Sequence, residues 1–123
     1  MGYAKTVVVV DDADIVRTML SFMIEKAGYE TLSCVDGEDA LTFFDGREVD
    51  LVITDLNMPN MDGAALIKTI RANELYQYTP VVLFVADDAE DKDSFRSASG
   101  ATLLFDKNNI NEQLLPTIKK LIG

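Results

Sequence analysis

Residues 6–12 read TVVVVDD, a β-branched apolar run that ends in two acids. The run is too apolar for a half-exposed strand and is typical of a strand that is covered on both faces. Two further short apolar runs begin at Leu51 and Val81, and stretches with helical periodicity separate them. This alternation predicts an α/β fold with a five-stranded parallel sheet and helices on both faces.

The expected elements alternate along the whole chain. Strands are predicted at 6–10, 30–35, 51–54, 81–86 and 101–105, and helices at 14–27, from 36 to 44, at 64–72, at 88–99 and around 114–122. The first helix has two neighbouring apolar stripes. One comprises Ile15, Met19, Met23 and Ala27, and the other comprises Val16, Leu20 and Ile24. Pro116 should kink the last helix or delay its regular start.

The composition excludes several classes of function. The length of 123 residues fits one domain, 1–123, and the net charge of −10 argues against direct binding to nucleic acid or to anionic membranes. Because the chain has no histidine, a Ser-His-Asp triad and histidine-ligated zinc are excluded. The single cysteine, Cys34, and the absence of a long apolar segment or signal peptide predict a cytoplasmic protein.

Acids follow two of the predicted strands directly. Asp11 and Asp12 follow the first strand, and Asp55 follows the third. In the common doubly wound order 2-1-3-4-5 these two strands are neighbours, so the three carboxylates would meet at one edge of the sheet. Carboxylate oxygens suit Mg²⁺, whereas the simpler alternative is that Asp11 and Asp12 cap the first helix.

Lys107 follows the fifth strand and could reach the same edge of the sheet. It could hold an anion there or form an ordinary ion pair, and its position alone does not separate the two. The sequence contains neither GxGxxG nor GxxxxGK, so a glycine-rich phosphate loop is not expected.

Three segments resemble the receiver domain of bacterial two-component response regulators, in particular the stand-alone chemotaxis receivers. They are residues 7–12 (VVVVDD), residues 50–63 (DLVITDLNMPNMDG), and Gly100-Ala101 with Lys107. The resemblance implies a flavodoxin-like receiver fold with strand order 2-1-3-4-5. It also implies that Asp55 is the phosphoacceptor and that Lys107 contacts the phosphoryl group. Mg²⁺ would be bound directly by Asp12 and Asp55, through water by Asp11, and by the backbone carbonyl of Asn57.

The resemblance also implies the partners. A histidine kinase, a phosphotransfer protein or a small acyl phosphate would donate the phosphoryl group to Asp55, and the absence of histidine here fits an acceptor. Without an output domain, the chain would signal by contact with a downstream protein. Such a domain assists its own phosphorylation and dephosphorylation but is not a turnover enzyme.

Three positions depart from the family pattern. Val85 stands where receivers usually have a serine or threonine that bonds the phosphoryl group, and Leu104 stands where they have a switching aromatic residue. Asn108 replaces a proline that usually follows the lysine in a cis bond, and a cis bond before a non-proline residue is costly. Val85 and Leu104 favour an alternative, in which a degenerate receiver acts by protein contact without phosphorylation.

A second alternative is a small phosphatase of the haloacid dehalogenase type. Asp12 and Asp14 fit its Asp-x-Asp motif after a strand, and Asp87-Asp88 resembles its late acidic pair. Against it, the lysine of that family precedes the acidic pair, whereas Lys107 follows it. The chain is also short for that fold.

Overall fold

A computed structural model describes residues 4–85 and 99–123. The strands are β1 (Thr6–Val10), β2 (Glu30–Cys34), β3 (Leu51–Asp55), β4 (Val81–Val85) and β5 (Leu103–Asp106). The α-helices in this part of the chain are α1 (Asp14–Lys26), α2 (Gly37–Leu41), α3 (Gly63–Ala72) and α4 (Ile110–Ile122), and a short 3-10 turn, Lys107–Asn109, precedes α4. The helix predicted at 88–99 lies outside the described residues, except for its last position.

The sheet has the predicted topology. Its strands run parallel in the order β2-β1-β3-β4-β5, which confirms the doubly wound arrangement. Side chains alternate along each strand, so one apolar core packs under α2 and α3, and a second packs under α1 and α4. The predicted helices on both faces are therefore confirmed. β4, at Val81–Val85, is buried along its whole length because both cores cover it.

The two apolar stripes of α1 have different surroundings. Leu20 and Ile24 are fully buried against the sheet, whereas Ile15 is 84% exposed and Met19 is partly exposed. The helix begins at Asp14 as predicted, and Gly28 has a φ of +102°, the left-handed conformation expected just after a helix. The sequence located α1 correctly but did not show which stripe faces the core.

Several strand boundaries differ from the prediction, and β2 ends at Cys34 and not at 35, whereas β5 ends at Asp106 and not at 105. Asp55 is the last residue of β3, where it is in register with Phe84 of β4. β5 begins at Leu103 and not at 101, because the Thr102 side chain, and not a backbone carbonyl, accepts the hydrogen bond from the neighbouring strand. The Thr102 hydroxyl accepts a hydrogen bond from the Val81 N–H at 3.0 Å, and the Thr102 N–H donates to the Val81 carbonyl at 2.9 Å.

Of the two predicted effects of Pro116, a kink or a delayed start of the last helix, the delayed start is not found. α4 begins at Ile110 and contains Pro116 in its interior. Proline has no N–H to donate to the carbonyl four residues earlier, that of Glu112, but both residues lie on the exposed side, where this carbonyl can reach water. The Lys107–Asn108 peptide is trans, as the sequence led us to expect. Among the described helices, none has the length and apolar character needed to cross a bilayer.

Candidate functional site

The carboxyl ends of β1 and β3 bring three acids together. Val10 and Thr54 are in register on these neighbouring strands, so Asp11, Asp12 and Asp55 project at the same edge of the sheet. One carboxylate oxygen from each residue lies within 4.8 Å of the others. The structure therefore unites the acids that the sequence singled out, and such a group of carboxylates can hold a divalent cation.

Asp11 is the most buried member of this group, with 2% of its surface exposed. Its Oδ1 accepts a hydrogen bond from the Ala13 N–H at 2.8 Å, whereas its Oδ2 is buried without a hydrogen-bond partner among the described residues. Burial raises the pKa of Asp11, the Ala13 N–H partly opposes this, and the charge of Asp55 raises the pKa further. A buried oxygen that lacks a partner fits a place for a cation.

The alternative role as helix caps finds no support in the geometry. The N-cap of α1 is Ala13, whose own side chain forms no capping hydrogen bond. The carboxylate of Asp11 instead binds the N–H of Ala13, two residues further along the chain. Asp11 and Asp12 therefore do not cap α1.

Lys107 completes the group from the end of β5. Its Nζ lies 2.9 Å from Oδ1 of Asp55, and its side chain remains about half exposed. The same Oδ1 accepts a hydrogen bond from the Leu56 N–H at 2.8 Å. Because both contacts involve one oxygen, Asp55 is held in a fixed orientation. The sequence left open whether Lys107 holds an anion or forms an ion pair, and in the structure it forms an ion pair with Asp55.

A loop that is packed closely against the strand follows Asp55. A Cβ on Gly63 would lie 2.3 Å from the Asp55 carbonyl oxygen, so only glycine fits at this position. The Gly63 N–H donates to the Leu56 carbonyl at 2.8 Å, which closes the loop at its base. Asn57 is exposed within this loop, two residues after Asp55. Its predicted backbone contact to a metal stays a prediction.

Asn60 is a contributor that the sequence analysis missed. It has a φ of +67°, in the left-handed region, and its Nδ2 donates to Oδ2 of Asp36 at 2.7 Å. Asp36 caps α2 by accepting from the Asp39 N–H, and these hydrogen bonds hold the pKa of Asp36 below its usual range. The available signal was the residue type, because asparagine tolerates a left-handed turn better than most residues. The loop after β3 is thus anchored to the start of α2.

Val85 and Leu104 occupy apolar surroundings near the site. Val85 is buried at the end of β4, directly after Phe84, which is in register with Asp55. Leu104 packs against the core under α2 and α3. Phe105 points to the opposite face of the sheet, where its ring centroid lies 5.5 Å from that of Phe84. Phe105 therefore does not replace the aromatic residue that Leu104 displaces.

The acids of the phosphatase motif have a different arrangement. The side chain of Asp14 is 86% exposed and forms an ion pair with Arg17, and Asp14 is not among the acids clustered with Asp55. Asp87 and Asp88 lie outside the described residues. Among the described residues, Asp12 of the Asp-x-Asp motif lies at the site, but Asp14 does not.

Comparisons with known proteins agree with the fold. The family model for the response regulator receiver domain matches residues 7–119. The sensory/regulatory protein RpfC of Xanthomonas campestris is 34% identical over 92% of this chain, and the regulatory protein AtoC of Escherichia coli is 40% identical over 70% of it. The chain spans only 16% and 18% of the length of these two relatives.

Solved structures are similar over nearly the whole chain. The chemotaxis protein CheY4 of Vibrio cholerae has a TM-score of 0.89 and 32% identity, covering 97% of this chain and 99% of that one. The response regulator TrrA of Thermotoga maritima, solved in complex with Mg²⁺ and BeF, has a TM-score of 0.82 and 30% identity, covering 95% and 98%. With the family model matched from Val7 to Lys119, the chain belongs to the response regulator receiver domain family.

Proposed function

We propose that this chain is a phosphoacceptor that receives a phosphoryl group on Asp55. The observation that carries the proposal is the arrangement around this carboxylate, in which Asp11 and Asp12 lie on one side and the Lys107 ammonium contacts Oδ1. Acids alone would repel a phosphoryl group, and the lysine alone would be an ordinary ion pair. Together with a bound cation they can stabilise the charge of a transferring phosphoryl group.

The transfer is a substitution at phosphorus. The contacts of Leu56 and Lys107 both fall on Oδ1 of Asp55, which leaves Oδ2 as the candidate nucleophile. In the transfer an Asp55 O–P bond forms and the P–N bond of a donor phosphohistidine breaks, so the bonding electron pair leaves with the imidazole. Lys107 can then move from the carboxylate to an oxygen of the phosphoryl group. After transfer the chain carries the phosphoryl group until the acyl phosphate is hydrolysed, so it is a phosphoacceptor and not a turnover enzyme.

Magnesium fits the acids that are present. Asp12 and Asp55 would hold it directly and Asp11 through water, and the buried Asp11 Oδ2 without a partner supports this assignment. A contribution from the Asn57 carbonyl belongs to the same proposal. When bound, the cation supplies charge neutralisation for the phosphoryl oxygens. Without it, the mutual repulsion of the carboxylates weakens the site.

A histidine kinase or phosphotransfer protein is the proposed donor. A donor protein must bring its phosphohistidine to Asp55, and so it must cover the surface beside Asp12. The apolar face of α1, formed by Ile15, Met19 and Phe22, starts three residues after Asp12 and is largely exposed. Exposed apolar patches of this kind mark protein contacts. We therefore assign the α1 apolar face to the donor.

Signalling would then run through contact with a downstream protein. The net charge of −10 disfavours nucleic acid as a direct partner, since phosphate backbones repel an acidic surface. A single receiver domain that acts in the cytoplasm remains part of the proposal.

Intact mass measurement tests the proposal directly. The chain is incubated with a small acyl phosphate, once with Mg²⁺ and once with a chelator, and its mass is followed over time. One phosphoryl group is expected with Mg²⁺, and a much slower gain or none is expected with the chelator. No mass gain under either condition would refute the acceptor function.

A substitution on the α1 apolar face tests the assignment of the donor. Phe22→Glu should slow transfer from a purified histidine kinase that phosphorylates the wild-type chain, but it should leave modification by acyl phosphate unchanged. The matched control is Leu75→Glu, because Leu75 is similarly exposed but precedes the amino end of β4, at the opposite edge of the sheet. Equal kinase rates in wild type and Phe22→Glu would exclude this face.

A degenerate receiver that acts without phosphorylation is the second candidate. It is favoured by one observation, the apolar packing of Val85 and Leu104 where a hydroxyl and a switching ring are usual in the family. The complete group of Asp11, Asp12, Asp55 and Lys107 opposes it. The mass experiment separates the two, because a degenerate receiver takes up no phosphoryl group.

A further inference from the structure

Arg17 lies beside the acids but is not one of their ion-pair partners. It is in α1, its side chain is only 16% exposed, and it forms a salt bridge with Asp14. Its second terminal nitrogen, Nη1, donates to the main-chain carbonyl of Asp11 at 2.7 Å. The guanidinium therefore binds the backbone of the site, and its carboxylate partner is at the start of the helix.

The hydrogen bond from Arg17 falls on the peptide unit that joins Asp11 to Asp12. The carbonyl of this unit belongs to Asp11, and its nitrogen belongs to Asp12, so its orientation sets the relative direction of the two side chains. The neighbouring groups are fixed as well, because the Asp11 N–H donates to the Cys34 carbonyl at 3.1 Å and the Arg17 N–H donates to the Ala13 carbonyl at 2.9 Å. Arg17 thus restrains residues 11–13 through two hydrogen bonds, one from its backbone N–H to the Ala13 carbonyl and one from its side chain to the Asp11 carbonyl.

We infer that Arg17 is a positioning residue for divalent cation binding, which it achieves by fixing the Asp11–Asp12 peptide. This inference rests on the proposed magnesium site. The carboxylates of Asp11, Asp12 and Asp55 repel one another, and the exposed Asp12 could relieve this repulsion by turning outward. The hydrogen bond to the Asp11 carbonyl restrains that movement and keeps the group arranged for a cation.

The charge and the geometry of Arg17 predict opposite effects on cation affinity. A guanidinium repels a nearby cation, so removing its charge would by itself tighten Mg²⁺ binding. Removing its hydrogen bond would loosen the peptide and weaken Mg²⁺ binding. The sign of the change in affinity therefore distinguishes positioning from a simple electrostatic effect, and a loss of fold stability alone would change neither the charge nor the arrangement of the folded site.

Calorimetric titration of the full chain with Mg²⁺ tests the inference. Arg17→Met keeps much of the aliphatic packing and removes both donors, and we expect its dissociation constant to rise about tenfold, the scale found when a partner of a metal ligand is removed. Arg17→Lys keeps the charge and one donor, and it should bind Mg²⁺ more tightly than Arg17→Met. The matched control is Arg47→Met, because Arg47 also pairs with a nearby acid, Asp45, and should leave the affinity unchanged.

The outcomes separate this inference from the proposed function. If wild type binds no Mg²⁺, the proposed metal site fails and the inference fails with it. If wild type binds Mg²⁺ while Arg17→Met binds equally well or more tightly, the inference alone is overturned. Arg17→Lys binding more weakly than Arg17→Met would mean that charge repulsion governs, which also overturns it. Should Arg17→Met not fold, Arg17→Leu, which also has no donor, carries the same expectation.

Discussion

The carboxyl ends of β1 and β3 differ in chemistry from those of β4 and β5, although all four line one edge of the same sheet. The first pair presents Asp11, Asp12 and Asp55, whose carboxylate oxygens lie within 4.8 Å of one another, and Asp11 and Asp55 are buried. The second pair presents Lys107 directly after Asp106, which caps the turn that follows, whereas Val85 and Leu104 pack into an apolar core. One region is built for charge and the other mainly for packing.

This difference separates two tasks that a receiver domain combines. Accepting a phosphoryl group needs a nucleophile, a cation site and a counter-charge, and each of these has a residue here. Transmitting the modification needs a group that interacts differently with the two states, since a modification shifts an equilibrium only by its differential interaction. Valine and leucine offer no hydrogen bond to a phosphoryl group. We therefore expect phosphorylation to be preserved and its conformational effect to be reduced.

The largest effect is expected for the acceptor itself. Asp55→Asn keeps the size of the side chain and an oxygen for the Leu56 N–H, but it removes the nucleophilic carboxylate. Mass gain with acyl phosphate and Mg²⁺ should disappear entirely. The matched control is Asp62→Asn, because Asp62 caps α3 through the Ala65 N–H and asparagine is an equally good cap. Stoichiometric modification of Asp55→Asn would place the acceptor elsewhere.

A loss of stability is expected when the loop after Asp55 is forced outward. In Gly63→Ala the new Cβ would meet the Asp55 carbonyl oxygen at 2.3 Å, and this backbone atom cannot easily move aside. Overpacking of this kind should lower the free energy of unfolding by about 1–3 kcal/mol in urea denaturation. The modification of Asp55 should slow as well, because the displaced backbone carries the acceptor. Ala65→Gly in the same helix is the control, and it should cost about 0.5–1 kcal/mol without slowing modification.

Magnesium should stabilise the unmodified protein by a smaller amount. If the dissociation constant is ~1 mM, 10 mM Mg²⁺ adds roughly 1.4 kcal/mol to the free energy of unfolding. Asp12→Ala should abolish this dependence, and it could raise the stability of the metal-free protein by relieving repulsion among the acids. Thermal unfolding with and without Mg²⁺ measures both effects. An unchanged melting temperature of the wild type would count against the metal site.

The smallest effect is expected at the region of β4 and β5. In wild type, phosphorylation should change the opening free energies of amides in β5 and α4 by less than the ~1.5 kcal/mol of one charge-assisted hydrogen bond. Val85→Thr restores a hydroxyl near Asp55 and should enlarge these changes. Amide hydrogen exchange with and without a beryllofluoride mimic measures them. Large cooperative protection in the unchanged sequence would show that Val85 and Leu104 do not interrupt transmission.

The sequence by itself determined the sheet and the members of the site. The apolar runs of β1, β3 and β4 require strands that are buried on both faces, and parallel strands place the residues at their carboxyl ends along one edge. The acids at positions 11, 12 and 55 and the lysine at 107 could therefore be named before the fold was known. Helix α1 and the glycine after it could be predicted because both depend on local backbone preferences.

Only the tertiary structure decided which contacts these residues make. The sequence could not tell which apolar stripe of α1 faces the sheet, because Ile15 and Leu20 are equally apolar and burial depends on how the helix packs. The Arg17 contact with the Asp11 carbonyl, the Asn60 contact with Asp36 and the pairing of Lys107 with Asp55 join elements that are set by the packed fold. A pattern of residue types records periodicity and chemistry, whereas a hydrogen bond between elements also requires the distance and direction that only the packed chain provides.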